Sequence, residues 1–202
     1  EIYKMDTITI LYIDNDIDSY TSQYLRESLD IGNIEKIYSE HEFTSEETYE
    51  SLIYYDEVKK ADLIIIDSKL FENATVKEAK LTGEEFKLIL KKVLPYKEVI
   101  VVTQNEPPKE YQVLPKYRSD KTSDRTHFFN EKWLPVIKNA IKSVLEYKNL
   151  VHKIENNKNI DKHFLENIIM TLEGSYEYDL LKSEDITKLI TAFKELEAKY
   201  YE

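Results

Sequence analysis

The sequence predicts an α/β protein built on a parallel β-sheet, and three observations support this. Short runs of apolar and β-branched residues alternate with amphipathic stretches over residues 5–145. The most apolar run, Leu-Ile-Ile-Ile at residues 63–66, is too short for a helix and is typical of a strand covered on both faces. Polar residues directly follow three of the apolar runs, at Asp14, Asp67 and Thr103.

The N-terminal third predicts a strand, a helix, a second strand and a second helix. Residues 7–13 are β-branched and apolar, and they give way to Asp14-Asn15-Asp16, as at the end of a buried strand. Residues 18–29 supply a cap and then the apolar stripe of a helix, which ends before the glycine at position 32. Residues 34–38 are a short strand candidate, and the apolar spacing in residues 45–60 predicts a helix.

The middle of the chain repeats this alternation. The strand at residues 63–66 is followed at once by Asp67. Thr82 and Glu85 form a capping box, which predicts a helix over residues 82–94. The remaining predicted elements are a strand at residues 99–102 that closes on Thr103, a weaker strand at residues 112–117, and a long helix that is capped by Asn130 and reaches about residue 156.

The order of these elements restricts the topology. Alternating strands and helices give a parallel sheet with helices on both faces. With right-handed crossovers and five strands, the commonest order is 2-1-3-4-5, which is the flavodoxin-like arrangement. The first and third strands are then neighbours, and their carboxyl ends flank the crevice where ligands bind in such sheets. We therefore expect Asp14, Asp16 and Asp67 to meet there, with Thr103 beside them.

The chain divides into two predicted parts. Residues 5–145 form the α/β domain, and residues 146–202 form a helical C-terminal extension. Two stretches of the extension, residues 161–173 and 183–201, carry apolar side chains at helical spacing and need a surface to pack against. That surface is the first domain, the other stretch or a second subunit. We expect a protein partner or a homodimer to use these helices.

Composition excludes several classes of function. The chain has no cysteine, which removes disulfides, thiolate zinc sites and thiol nucleophiles. The formal net charge of −11 disfavours direct binding to nucleic acid or to anionic membranes. No apolar run approaches the ~20 residues of a membrane span, and the first residues are too polar for a secretory signal. We therefore expect a cytoplasmic protein.

Carboxylates that converge beside a hydroxyl suggest a site for a hard cation and for phosphoryl transfer. Magnesium prefers oxygen ligands and usually keeps several waters, so one or two carboxylates suffice. An aspartate beside the metal can attack a phosphoryl group. The metal and a lysine would neutralise the phosphoryl oxygens, and a hydroxyl would donate a hydrogen bond to the product.

Four segments together resemble the response-regulator receiver domain, the CheY-like family. The resemblance covers about residues 7–145 and leaves out the helical extension. The matching segments are residues 11–16 (LYIDND), 64–69 (IIIDSK), 83–86 (GEEF) and 101–103 (VVT).

The resemblance implies a magnesium site. Asp14 and Asn15 match the acidic pair that binds the metal in the family. Asp67 would add its carboxylate, and the backbone carbonyl of Lys69 would complete the site. Asp16 is a further candidate ligand.

The resemblance also implies a phosphorylation site. Asp67 matches the phosphoacceptor, and Thr103 matches the hydroxyl residue that contacts the phosphoryl group. Lys116 matches the lysine that follows the fifth strand. His127 competes for that place, because residues 128–130 resemble the run into the family's last helix. A histidine kinase or another phosphodonor is the implied partner.

Three departures from the family pattern bear on these roles. Asn15 stands where the second acid is expected and lacks its charge. The segment from Asp67 to the glycine at position 83 is longer than in the family, through an insertion around residues 73–80 beside the pocket. The stretch from Thr103 to Lys116 leaves little room for the family's fourth helix, because Pro107-Pro108 blocks an early helix start.

Three hypotheses for function follow. The first is a response-regulator-like signalling module that is phosphorylated on Asp67 with magnesium and acts through its helical extension, without enzymatic activity beyond its own phosphorylation and dephosphorylation. The second is a pseudo-receiver scaffold without phosphorylation, which Asn15 favours. The third is a metal-dependent phosphohydrolase or nuclease with Asp14, Asp16 and Asp67 as ligands. The sequence offers the third neither a clear general base nor a basic substrate groove.

Overall fold

A five-stranded parallel sheet forms the centre of the protein, and its order is β2-β1-β3-β4-β5. The structure is a computed structural model, and it describes residues 6–73, 81–105, 113–120, 124–156 and 161–173. The flavodoxin-like strand order predicted from the sequence is confirmed. The strands are β1 (Thr7–Asp14), β2 (Glu35–Glu42), β3 (Leu63–Asp67), β4 (Glu98–Thr103) and β5 (Val113–Pro115).

Helices cover both faces of this sheet. In chain order they are α1 (Ser19–Gln23), which continues as a π-helical segment (Tyr24–Ser28), α2 (Tyr49–Tyr54), α3 (Asp56–Lys60), α4 (Gly83–Val93), α5 (Arg125–Lys132), α6 (Leu134–Glu155) and α7 (Lys162–Glu173).

Successive strand residues point to opposite faces of the sheet and so divide between two cores. On one face, Ile10 and Tyr12 of β1 pack with residues of the π-helical segment, α5 and α6. On the other, Leu11 and Ile13 pack with residues of α2, α3 and α4. Every residue of β3 is buried, as expected for a strand covered on both faces. The central strands therefore hold the carboxyl edge of the sheet in a fixed position.

The helix predicted over residues 45–60 is wrong as a single element. It is two short helices, α2 and α3, which are separated at Tyr55. The backbone of Tyr55 is extended, with φ −61° and ψ 129°, so the residue ends one helix and precedes the next. Leu52 of α2 and Val58 of α3 are nevertheless both buried in the same core. Both short helices therefore pack on the same face of the sheet.

The cap predicted at Asn130 is also wrong, because Asn130 lies within α5. Asp124 caps this helix, and its side chain accepts a hydrogen bond from the His127 backbone N at 3.1 Å. Trp133 separates α5 from α6, and Pro135 occupies the first turn of α6, where a missing N–H costs nothing. The long C-terminal helix therefore begins at Leu134.

Two boundaries near the N-terminus differ as well. The first helical segment ends at Ser28, before the predicted stop, and Gly32 lies in the turn that follows, with φ +73°. This conformation favours glycine because it has no Cβ. Strand β2 extends to Glu42, beyond the predicted residues 34–38, because it pairs with β1 along the whole length of β1.

The predicted capping box of α4 is confirmed. The Thr82 hydroxyl accepts from the Glu85 backbone N at 3.2 Å, and the Glu85 carboxylate accepts from the Thr82 backbone N at 2.8 Å. These two bonds satisfy backbone donors that no helical carbonyl can reach. Helix α4 thus begins at Gly83, directly behind the carboxyl edge of the sheet.

The helical extension continues from α6 without a break at residue 145. Helix α6 ends at Glu155, and α7 packs against it. In the described part of the chain, no helix is both long and apolar enough to cross a membrane. The predicted helix at residues 183–201, the insertion at 74–80 and most of the stretch between Thr103 and β5 lie outside the described residues.

Candidate functional site

The polar residues that end β1, β3 and β4 lie side by side because these strands are neighbours. Asp14 ends β1 and Asp67 ends β3, and the pairing of Ile13 with Ile66 brings the two strand ends level. Thr103 ends β4, next to Asp67. All three side chains are buried. The structure thus places the two carboxylates and the hydroxyl at the ends of three adjoining strands.

Lys116 connects the two carboxylates. Its Nζ lies 2.5 Å from Asp14 Oδ2 and 2.8 Å from Asp67 Oδ1, and its side chain is 4% exposed. The residue directly follows β5, and its backbone N donates to the Thr103 carbonyl at 2.7 Å. His127 lies instead on the exposed surface of α5, 3.4 Å from Glu131. The structure therefore places Lys116, rather than His127, between the acids.

Both carboxylate oxygens of Asp14 accept hydrogen bonds. Besides Lys116, the Tyr12 hydroxyl donates to Oδ2 in a short contact, and the Asp16 backbone N donates to Oδ1 at 3.2 Å. The Tyr12 hydroxyl also accepts from the backbone N of Asp18, the N-cap of α1, at 3.4 Å. Tyr12 thereby ties Asp14 to the start of the first helix.

Sequence reasoning missed Tyr12, because it lies in an apolar run and was assigned only to a buried strand. The signal that could have identified it is its spacing from Asp14. Residues two apart in a strand point to the same face, so a tyrosine at this position can reach the carboxylate. A buried tyrosine hydroxyl also needs a hydrogen-bond partner.

In the part of the chain that the structure describes, Asp67 is held by fewer donors than Asp14. Its Oδ2 accepts from the Lys69 backbone N at 2.7 Å, while Oδ1 faces Lys116. The Asp67 side chain is 8% exposed, against 1% for Asp14. The Lys69 ammonium pairs with Glu72 at 3.1 Å on the surface. Asp67 is therefore the more accessible of the two carboxylates.

Helix α4 begins in direct contact with the end of β3. The Gly83 backbone N donates to the Ser68 carbonyl at 2.7 Å. A Cβ at position 83 would lie 2.3 Å from the Asp67 carbonyl oxygen, so only glycine fits there. Next to it, the Ser68 hydroxyl contacts both carboxylate oxygens of the buried Glu84, at 2.8 and 2.9 Å. This packing fixes the backbone on which Asp67 is presented.

Two buried carboxylates share one ammonium, which leaves an excess negative charge in the site. Burial raises the pKa of Asp14, and the attraction of Lys116 offsets only part of this rise. Burial alone would lower the pKa of Lys116, but the attraction of Asp14 and Asp67 outweighs it and raises that pKa. Burial and the neighbouring Asp14 charge raise the pKa of the Tyr12 hydroxyl, so it stays a donor.

Thr103 presents a hydroxyl at the next strand end. Its Oγ1 accepts from the Asn105 backbone N at 3.1 Å, which leaves the hydroxyl hydrogen able to donate. The side chain is buried, and the residue before it, Val102, is the one paired with Asp67. The hydroxyl hydrogen is thus available to an oxygen acceptor at this strand end.

The oxygen donors at this site suit magnesium in kind but not in arrangement. Both Asp14 oxygens already accept hydrogen bonds, and the Lys69 carbonyl accepts from the Glu72 backbone N at 2.9 Å. Over the described ranges, no three His, Cys, Asp or Glu side chains converge in a way that could hold a metal ion. The residues as placed do not fit the ion, since the Lys116 ammonium already lies between the carboxylates.

Asn15 and Asp16 lie at the mouth of the site. Asn15 is half-buried and adds no charge, while the Asp16 side chain is exposed. Only the backbone of Asp16 is seen to contact the buried group, through its bond to Asp14. The buried negative charge next to Lys116 is therefore carried by Asp14 and Asp67.

Comparisons with known proteins add little to this geometry. No protein-family model matches the sequence, and no curated protein matches it. A solved structure of the RcsB response regulator of Salmonella typhimurium, reported for its conformational dynamism in DNA interaction, is 13% identical to this chain. It aligns with 87% of this chain and 96% of its own, with a TM-score of 0.42.

Proposed function

We propose that the chain is a receiver-like signalling module in which Asp67 accepts a phosphoryl group. The observation that carries this proposal is the position of Lys116 Nζ, 2.8 Å from Asp67 Oδ1 at the carboxyl end of the central strand. The more accessible carboxylate thus lies beside a buried cation that can neutralise charge on a phosphoryl oxygen. The resemblance of the surrounding segments to receiver domains points to the same role.

In the proposed reaction, one carboxylate oxygen of Asp67 attacks the phosphorus of a small donor such as acetyl phosphate. The P–O bond to the acetyl group breaks, acetate leaves with the bonding electrons, and an acyl phosphate forms on Asp67. Lys116 stabilises the charge on the transferred group, and the Thr103 hydroxyl donates to one of its oxygens. The modified side chain carries about two negative charges, against one for the free carboxylate.

Magnesium dependence and a histidine kinase as donor are implied by the family resemblance, and both stay predictions. The residues that would contribute ligands are Asp14, Asn15, Asp67, the Lys69 carbonyl and the further candidate Asp16. Since Asp14 is already engaged and Asn15 lacks charge, we expect magnesium to bind with an affinity on the order of millimolar or weaker.

Output through α6 and α7 is also part of the proposal. Phe164 and Met170 of α7 and Leu150 of α6 are exposed apolar side chains on the helical extension. A protein partner or a second copy of the chain would cover such residues. The net charge of −11 makes nucleic acid a poor candidate for direct contact.

The test is direct modification of Asp67. The full chain is incubated with acetyl phosphate or phosphoramidate, with magnesium or with a chelator, and its intact mass is measured. We expect a gain of one phosphoryl group that hydroxylamine removes and that Asp67→Asn abolishes. Asp56→Asn, which changes an exposed aspartate on α3, should leave the gain intact. No gain with either donor would reject phosphorylation.

The second candidate is a pseudo-receiver that is never phosphorylated. It is favoured by the closure of Asp14 and Asp67 around Lys116, which gives the acids a cation without any ligand. The three residues would then serve only to join β1, β3 and the end of β5. This candidate predicts no mass gain in the same experiment and no measurable change on magnesium titration.

A further inference from the structure

We infer that Trp133 couples the state of Asp67 to the helical extension, through Lys116 and Pro115. The inference depends on the proposed function, because it states what modification of Asp67 does to the rest of the molecule. It connects Asp67 to Trp133, which lies 66 residues later in the sequence, in three steps. Each step can be traced in the structure.

The first step is the sharing of Lys116 between two acids. Its Nζ contacts Asp14 Oδ2 and Asp67 Oδ1 at 2.5 and 2.8 Å. A phosphoryl group on Asp67 would attract the ammonium more strongly than the carboxylate does, because it carries more charge. Asp14 Oδ2 would still accept from Tyr12 if Lys116 left it. Lys116 therefore has two arrangements, one shared and one committed to Asp67.

The second step is the backbone around Lys116. Its own N donates to the Thr103 carbonyl at 2.7 Å, and the carbonyl of the preceding Pro115 accepts from Trp133 Nε1 at 2.8 Å. The Lys116 side chain is buried, and closely packed interiors leave little room for a side chain to move alone. A shift of Lys116 toward Asp67 therefore acts on the bond between Pro115 and Trp133.

The third step is the position of Trp133 between two helices. It ends α5 and immediately precedes α6, and its side chain is fully buried. Its ring contacts Phe129 and Tyr24, with centroids 5.3 and 6.1 Å away. The indole N–H is the only hydrogen-bond donor of the side chain, so losing Pro115 would leave it unpaired. A change at this bond shifts the start of α6, and α6 carries α7.

Trp133 is the single tryptophan of the chain. Tryptophan emission therefore reports the surroundings of its indole, including the hydrogen bond to the Pro115 carbonyl. The full chain is treated with acetyl phosphate, and tryptophan emission, intact mass and hydrogen exchange of α6 and α7 are followed in the same sample. We expect the emission to shift in proportion to the modified fraction and α6 to lose exchange protection. Modification without any change in emission or exchange overturns the inference and leaves the proposed function standing.

Lys116→Gln tests the coupling without any modification of Asp67. The variant removes the shared ammonium, and we expect the Trp133 emission of the folded protein to shift relative to wild type. An unchanged spectrum would overturn the inference whether or not Asp67 is phosphorylated. The proposed function is judged separately, from the mass gain of the wild-type chain.

Trp133→Phe keeps an aromatic ring but removes the N–H donor. We expect Asp67 to be modified as before, while the exchange response of α6 and α7 is lost. The matched control is Tyr24→Phe, since the Tyr24 hydroxyl has no hydrogen-bond partner among the described residues and its ring stacks on Phe129 at 4.2 Å. This control should keep the response. If Trp133→Phe does not fold, the Lys116→Gln spectrum decides.

Discussion

The ends of β1 and β3 carry the same side chain, aspartate, in different surroundings. Among the described residues, three donors reach Asp14, whose side chain is 1% exposed. Two reach Asp67, which is 8% exposed, and one of these donors is the shared Lys116. Identical residues on adjacent strands thus have different freedom. The difference assigns Asp14 to the fixed framework of the site and leaves Asp67 as the carboxylate that can react.

The cause of this difference lies two residues before each aspartate. Tyr12 precedes Asp14 and Ile65 precedes Asp67, and the two are paired across the sheet. Both side chains are fully buried in the same core. The tyrosine hydroxyl can donate to the carboxylate that follows it, whereas isoleucine has no donor. The difference between tyrosine in β1 and isoleucine in β3 therefore gives Asp14 a hydrogen-bond donor that Asp67 lacks.

The largest effect on the free energy of unfolding is expected for Lys116→Met, which leaves the buried carboxylates of Asp14 and Asp67 without a cation. Removing one partner of a buried ion pair costs about 3–5 kcal/mol, because the remaining charges stay buried without compensation. Urea unfolding should show a loss of this size. Lys69→Met, which removes an exposed lysine, should change the free energy of unfolding by less than about 0.5 kcal/mol. Equal losses in the two variants would contradict the role of Lys116.

The next prediction compares the loss of stability when each of the two aspartates is replaced. Asp14→Ala leaves the Tyr12 hydroxyl buried without its acceptor, and we expect a loss of about 2 kcal/mol. Asp67→Asn keeps the shape of the side chain and removes the excess negative charge, so stability should change by less than about 1 kcal/mol. Unfolding midpoints of the two variants, compared with wild type, check this order. Equal losses would remove the distinction between framework and reactive acid.

Tyr12→Phe should make the surroundings of Asp14 more like those of Asp67, because it removes one of the hydrogen-bond donors to Asp14. It deletes a hydrogen bond to a charged group while keeping the ring, and we expect a loss of about 1.5 kcal/mol, the lower end of the range for such bonds. Tyr24→Phe is the control, since its hydroxyl has no partner in the described part of the chain. Urea unfolding of both variants makes the comparison. A Tyr12→Phe variant as stable as the control would mean that this hydroxyl does not hold Asp14.

The smallest expected effect is the pH dependence of the contribution that Lys116 makes to the free energy of unfolding. Its pKa is raised in the folded state, because the attraction of Asp14 and Asp67 outweighs burial. The stability it supplies is complete below the ordinary lysine pKa of 10.5 and is lost as pH rises through the raised value. The difference in unfolding free energy between wild type and Lys116→Met should therefore narrow above pH 10.5. A difference that stays constant to higher pH would contradict the shift.

Local signals account for the parts of the fold that the sequence predicted well. Four apolar residues before Asp67 identify β3, and the capping box of Thr82 and Glu85 gives the start of α4. The break at Tyr55 has no such signal, because no glycine or proline interrupts the helical spacing there. The break at Trp133 does have one, Pro135, whose preference for the first turn of a helix marks the start of α6.

Only two sources in the sequence predicted the site, the order of the strands and the resemblance to receiver domains. The topology of the sheet places Asp14 and Asp67 at neighbouring strand ends before any coordinates are known. Spacing alone left Lys116 and His127 as alternatives, because both follow the fifth strand. The donors to Asp14 depend on how far the Tyr12 side chain reaches in three dimensions, which an apolar sequence run does not reveal.

The connection between β3 and α4 begins and ends at the same place. The Gly83 N lies 2.7 Å from the Ser68 carbonyl oxygen, and the Leu81 N donates to the Tyr49 hydroxyl at 3.1 Å. Lengthening a loop whose ends are already joined is inexpensive, at about 0.6 kcal/mol for each doubling of length. An epitope or a fluorescent peptide could therefore be inserted between Asn73 and Leu81 while the sheet keeps its register.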